Sequence, residues 1–139
     1  MIKKYIAKCF YLVIFVCIVV SCSNNNNLKN NPDKEITIKM VTHGQATDPF
    51  WSVVSNGAKD AAQELGITLH YQSPQNFDMI TMSQMIDAVI ATKPDGLILS
   101  VPDIPALRKS IISASKKNIP IIVINAGSEI MEEVDILTY

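Results

Sequence analysis

The sequence has 139 residues, a net charge of -1 from 12 Lys and Arg against 13 Asp and Glu, and three cysteines. Its cations are scattered, so nucleic-acid binding, which draws affinity from clustered cations facing phosphates, has no support. The length allows one domain after a targeting segment.

The chain opens as an export signal does. Lys3, Lys4 and Lys8 precede the apolar run Cys9 to Val20, and the small residue Ser21 stands before the cleavage point. Spanning a bilayer takes about 20 apolar residues and Lys8 limits the unbroken run to roughly a dozen, so residues 1–21 are expected to be a cleaved signal peptide. The junction Val19-Val20-Ser21-Cys22 resembles a lipobox, which implies that Cys22 becomes the lipid-modified first residue of the mature protein. Acyl chains, at about 0.8 kcal/mol per buried methylene, then anchor the protein at a membrane that it does not span. Cys9 and Cys17 leave with the signal and Cys22 is taken by lipid, so no disulfide within one chain is expected. Residues 22–34 are rich in Asn, contain Pro32 and hold too little apolar surface to offset the entropy of ordering them, which predicts a flexible linker. The fold is expected in residues 35–139.

Ile36 to Thr42 predicts a first strand. Asp48 is placed to N-cap the following helix and Pro49 to occupy its first turn. Phe50, Val53, Val54, Ala58, Ala61, Ala62 and Leu65 recur at spacings of three and four, which predicts one apolar stripe, and Gly66 ends the helix. Ile67 to Gln72 alternates apolar and polar side chains, as a strand at a sheet edge does. After Asp78 a second helix should turn Met79, Met82, Met85, Ile86, Val89 and Ile90 inward, with its methionines as core. Lys93-Pro94-Asp95-Gly96 predicts a turn, and Leu97 to Val101, apolar but for Ser100, a third strand. Asp103 and Pro105 open a third helix with Leu107, Ile111, Ile112 and Ser115 facing in, and Pro120 to Ile124 is the fourth strand. Ile136-Leu137-Thr138-Tyr139 reads as the opening of another. Continuous apolar strands separated by helices are parallel and covered on both faces, so the expected fold class is α/β, a doubly wound parallel sheet.

Open sheets of this kind bind ligands beyond the carboxyl ends of their strands. The loops to inspect are His43 to Trp51, Pro102-Asp103 and Asn125-Ala126-Gly127. Asp48, Phe50 and Trp51 set two aromatic faces beside a carboxylate, a combination suited to the C–H patches and hydroxyls of a sugar. Phe50 lies on the apolar stripe and divides between core and ligand; Trp51, on its flank, is the better ligand candidate. Asp48 serves equally as a cap. Asn125 offers a donor and an acceptor where a buried strand ends, and turn chemistry is its alternative role. Asp103 reads as a cap rather than a contact. His43 and His70 have no nearby metal-ligand pattern and receive no role; no metal site and no cofactor are expected. The sequence shows no G-x-S-x-G elbow, H-E-x-x-H helix, phosphate-cradling glycine loop or surviving Cys nucleophile, and the expectation is a protein that is not an enzyme.

The Asp-Pro-Phe-Trp step, Gly57-Ala58, Lys-Pro-Asp-Gly before strand three and Asn-Ile-Pro-Ile-Ile-Val-Ile before the Asn125 loop come in an order that is informative as a set. Together, over Ile36 to Gly127, they resemble the N-terminal lobe of periplasmic sugar-binding proteins of the ribose and galactose type. The resemblance implies that Asp48 hydrogen-bonds a sugar and that Phe50 and Trp51 stack on it. Asn125-Ala126 stands where that family carries Asp-Arg, so the pentose or hexose specificity of its best-known members does not transfer. The family has two lobes that close on the ligand, and one is present here, which reads as a fragment or a truncated product whose half-site should lose most affinity.

The implied function is capture of a sugar or sugar-like solute by a lipid-anchored protein of the cell envelope, in a periplasmic or extracytoplasmic location, for the permease of an ABC transporter. The alternative is a sensory receptor, for a sugar or autoinducer-2, that presents its ligand to a chemotaxis or signalling partner. A DNA-binding repressor on the same fold would need a helix-turn-helix where this chain has its signal. An exported hydrolase is the residual enzyme option.

Overall fold

The computed structural model describes residues 34–45, 47–134 and 137–138. The expected signal peptide, Cys22 and nearly all of the linker lie outside the described residues. The described elements fall in one compact unit, Glu35–Tyr139.

Five strands and three helices alternate along this unit. They are β1 (Thr37–Val41), α1 (Pro49–Leu65), β2 (Thr68–Gln72), α2 (Met79–Ala91), β3 (Gly96–Leu99), α3 (Ile104–Lys116), β4 (Ile121–Val123) and β5 (Leu137–Thr138), with a 3-10 turn at Ser128–Glu132 before the last strand. Every strand pair is parallel and the order across the sheet is β2-β1-β3-β4-β5. The sheet is the predicted one, with β2 at an edge and a fifth strand where Leu137 and Thr138 stand.

The helix ends follow from local chemistry. Asp48 Oδ1 accepts the Phe50 N–H (2.9 Å), Asp78 Oδ1 the Ile80 N–H (2.9 Å) and Asp103 Oδ1 the Ala106 N–H (3.0 Å), so an aspartate caps each helix. Thr81 also donates to Asp78, and these hydrogen bonds hold the Asp78 carboxyl below its ordinary value. Gly66 closes α1 in the left-handed conformation, φ 64°. Between α2 and β3 the turn is tied to β1: the Asp95 N–H donates to the Thr37 carbonyl (2.9 Å) and the Thr37 N–H to Asp95 Oδ2 (3.0 Å).

The two faces of the sheet are packed unequally. Val41, Leu97, Leu99, Ile121 and Val123 meet Met82, Ile86, Val89 and Ile90 of α2 and Leu107, Ile111 and Ala114 of α3 in one core, with Met79 and Met85 packed against it. Met82 is therefore core, as expected, and Met79 and Met85 pack against that core while half-buried. In α3 the inward positions are Leu107, Ser110, Ile111 and Ala114, whereas Ile112 and Ser115 are half-buried. The hydroxyls of Ser110 and Ser83, 3.0 Å apart, satisfy each other between α3 and α2.

On the opposite face α1 is the one helix among the described residues. Its buried residues are Trp51, Ser55 and Ala62, while Phe50, Val53 and Leu65 are 53%, 73% and 72% exposed. The predicted stripe is thus rotated: the helix turns the Trp51 face inward and leaves much of its aliphatic stripe in solvent. Ile38, Ile98 and Ile122 share with Ala58, Ala61 and Leu65 an apolar cavity of about 350 Å³. Ile98 and Ile122 are consequently half-buried, and β3 and β4 are fully covered on one face only.

Candidate functional site

All strands run the same way, so the loops after β1, β2, β3 and β4 gather on one edge. The chain passes from β1 to β2 on one side and from β3 onward on the other, which puts the reversal of strand order between β1 and β3. A crevice at that point is where doubly wound sheets hold small molecules.

Backbone hydrogen bonds tie these loops together. The Ser100 N–H donates to the Val41 carbonyl (3.2 Å), the Ile124 N–H to the Leu99 carbonyl (2.8 Å) and the Val101 N–H to the Ala126 carbonyl (2.8 Å). Gly127, at φ 90°, lies so close to β3 that an added Cβ would stand 2.3 Å from the Val101 carbonyl oxygen. Only glycine fits there. Asn125 precedes this contact with a left-handed backbone, φ 64°, and an exposed side chain. Its turn role and its availability to a ligand therefore coexist.

The reversal point carries a pair that sequence reasoning left without a role. The His43 backbone N–H donates to Ser100 Oγ (2.9 Å), and His43 Nδ1 lies 2.8 Å from the same oxygen. Ser100 is fully buried and His43 half-buried. Burial pushes the His43 imidazole below its ordinary pKa of 6.5, against a smaller upward pull from the Asp48 charge.

Aromatic rings surround this pair. The His43 ring meets Trp51 edge to face (centroids 4.9 Å, interplanar 75°) and Phe77 likewise (6.0 Å, 85°), and Trp51 meets Phe50 (5.1 Å, 87°). The row Phe50, Trp51, His43, Phe77 joins the loop after β1 to the loop after β2. Its ends are open, Phe50 at 53% and Phe77 at 60% exposure, and Trp51 inside it is 5% exposed. Of the two aromatics, Phe50 presents its ring to solvent, and Trp51 is held against Gly44, where an added Cβ would fall 1.9 Å from the indole. The cause is the rotation of α1.

Asp48 sits beside this row as the α1 cap, with one oxygen used by the Phe50 N–H. The structure thus places Asp48 and Asn125 on loops, and Phe50 and Trp51 on the first turn of α1, at one edge of the sheet, and it adds His43, Phe77 and Ser100. A signal for Ser100 stood in the sequence as the one polar residue of an apolar run. Phe77 and His43 had none, since their contacts join distant segments. Trp51 also lines a cavity of about 660 Å³ at the end of edge strand β2, with Ser55, Asn56, Lys59, Tyr71, Gln72 and Met85. Among the described residues no group of three or more His, Cys, Asp or Glu could hold a metal ion, and no helix is long and apolar enough to cross a membrane.

A doubly wound sheet with polar and aromatic side chains gathered at its order-reversal point belongs to the α/β domains that hold a small molecule at their strand ends. The chain belongs to the periplasmic binding protein domain family, whose model matches residues 38–139, a family of solute-binding proteins and not of enzymes. Its fold is that of the type I lobe.

Among solved structures it is similar to a carbohydrate transporter from Acidothermus cellulolyticus 11B in complex with myo-inositol, at 34% identity and a TM-score of 0.69, over 76% of this chain and 37% of that one. It is also similar to a periplasmic sugar-binding protein of an ABC sugar transporter from Legionella pneumophila (31%, TM-score 0.68, 72% and 37%). A third is a glucose-galactose binding protein from Geobacillus stearothermophilus (27%, TM-score 0.64, 69% and 34%). The chain spans little more than a third of the length of these proteins. No curated protein sequence matches it.

Proposed function

We propose that this protein captures an uncharged sugar or cyclic polyol at the carboxyl edge of its sheet, for delivery to an ABC importer, while tethered to a membrane through lipid on Cys22. The observation that carries the reading is the aromatic row with an open ring at each end, Phe50 and Phe77, and the His43–Ser100 pair within it. Exposed phenyl faces suit the C–H patches of a pyranose or cyclitol ring. Asp48, Asn125 and His43 supply acceptors and donors for its hydroxyls. The sugar and inositol ligands named for the similar structures support the same ligand class.

Saturation-transfer NMR with myo-inositol, D-glucose and D-galactose tests the reading, because it detects weak binding from the sugar's own protons. Transfer to at least one of the three, abolished in Phe50→Ala, is the expected result; no transfer to any contradicts it. The anchor is tested separately: Cys22→Ala should abolish incorporation of labelled palmitate, and an unchanged acyl-labelled mature band would sink the lipid assignment.

A further inference from the structure

We propose that His43 is a ligand-reading residue, locked by the buried Ser100 hydroxyl as the neutral tautomer with its proton on Nε2, and that this N–H donates to an acceptor oxygen of the uncharged solute. The contact to ligand rests on the sugar-binding reading above; the lock does not.

The lock follows from counting donors and acceptors. A serine hydroxyl has one hydrogen to give and two lone pairs. The His43 backbone N–H takes one lone pair of Ser100 Oγ at 2.9 Å. The hydroxyl hydrogen needs an acceptor, because Ser100 is wholly buried and a buried donor without a partner is costly. The acceptor at hand is His43 Nδ1, 2.8 Å away. Were Nδ1 protonated, it would take the second lone pair and leave the buried hydroxyl hydrogen unmatched. Nδ1 therefore accepts, and the ring proton of neutral His43 resides on Nε2.

The second step concerns where that proton points. Nε2 is on the far side of the ring from Nδ1 and makes no hydrogen bond to any described residue. No buried side-chain nitrogen or oxygen among the described residues lacks a partner, so those residues do not seal Nε2 from solvent. Edge-to-face contacts with Trp51 and Phe77 restrict the ring's rotation. The result is a fixed donor beside the open face of Phe77, at the reversal of strand order. Burial favours the neutral ring, and a neutral donor selects a hydroxyl or ring oxygen over a carboxylate or phosphate, which would reward a cationic imidazolium.

The test uses the full chain labelled with nitrogen-15. Long-range proton–nitrogen correlation spectra at neutral pH should show His43 protonated on Nε2 in the wild type and a mixture of tautomers in Ser100→Ala. A ring protonated on Nδ1, or a Ser100→Ala ring unchanged from wild type, overturns the lock. The ligand contact is tested by titrating myo-inositol and D-galactose into His43→Asn, His43→Gln and His43→Ala.

Asn can keep the acceptor toward Ser100 but lacks the distal N–H; Gln carries an amide N–H near the Nε2 position. About tenfold weaker binding is expected for Asn and Ala, with most of it recovered by Gln, while Asn retains the wild-type melting temperature. Binding equal to wild type in all three variants overturns the His43 contact and leaves sugar binding standing. No binding of either sugar to the wild type overturns the sugar reading and the contact with it, with the tautomer result independent of both.

Discussion

The two faces of the sheet make the informative comparison. On one, α2 and α3 press Met82, Ile86, Leu107 and Ile111 into the sheet with no exposure. On the other, α1 is the one described helix over the sheet, and a cavity of about 350 Å³ lies beside Ile38, Ile98 and Ile122. The same sheet thus has a close-packed side and a loosely covered one. Stability is expected to reside on the first. The second fixes the angle at which α1 sits, and so decides which of Phe50 and Trp51 faces solvent.

The largest expected effect separates the faces by truncation. Leu107→Ala removes a wholly buried side chain and should cost about 3 kcal/mol, whereas Ile122→Ala, next to an existing cavity, should cost about 1 kcal/mol. Urea denaturation of both measures the gap, and equal losses would break the comparison. Enlarging a residue reverses the test. Ala114→Leu overpacks the α3 face and should destabilise by about 1–3 kcal/mol, while Ala61→Leu has the cavity to enter and should be neutral or slightly stabilising.

The smallest effect is one of pH. The folded-state pKa of His43 lies below its ordinary value, so the unfolded chain binds the proton more readily. Its contribution is then fully present above pH 6.5 and is lost as pH falls through the lower folded value. Difference melts against His43→Asn between pH 7 and pH 5 should isolate a decline of under about 1 kcal/mol. A difference that stays flat over that range contradicts the assigned direction.

This inequality also explains how far the sequence could be read. The parallel strands, the edge position of β2, the caps and the inward turn of the α2 methionines were legible because local periodicity and a single capping residue decide them, whereas the order of the strands was not. The stripe of α1 was misread because Phe50, Val53 and Leu65 share helical spacing, yet which face a lone helix buries depends on where it crosses the sheet. In α3, Ser110 replaces Ile112 inside because Ser83 of the neighbouring helix satisfies its hydroxyl, a contact 27 residues away. For the same reason the site was half legible. Asp48, Phe50 and Trp51 announce themselves within four residues, whereas His43 acquires meaning from Ser100, 57 residues on.

The central claim is capture of a sugar-like solute on the carboxyl edge, and a chemical-shift map tests it most directly. With myo-inositol or D-galactose at saturation, the account predicts shifts at His43, Phe50, Phe77, Ser100 and Asn125, and none at Ile38, Ile98 or Ile122 beneath α1. Shifts concentrated beneath α1, with the loops after β1, β3 and β4 unmoved, would contradict it.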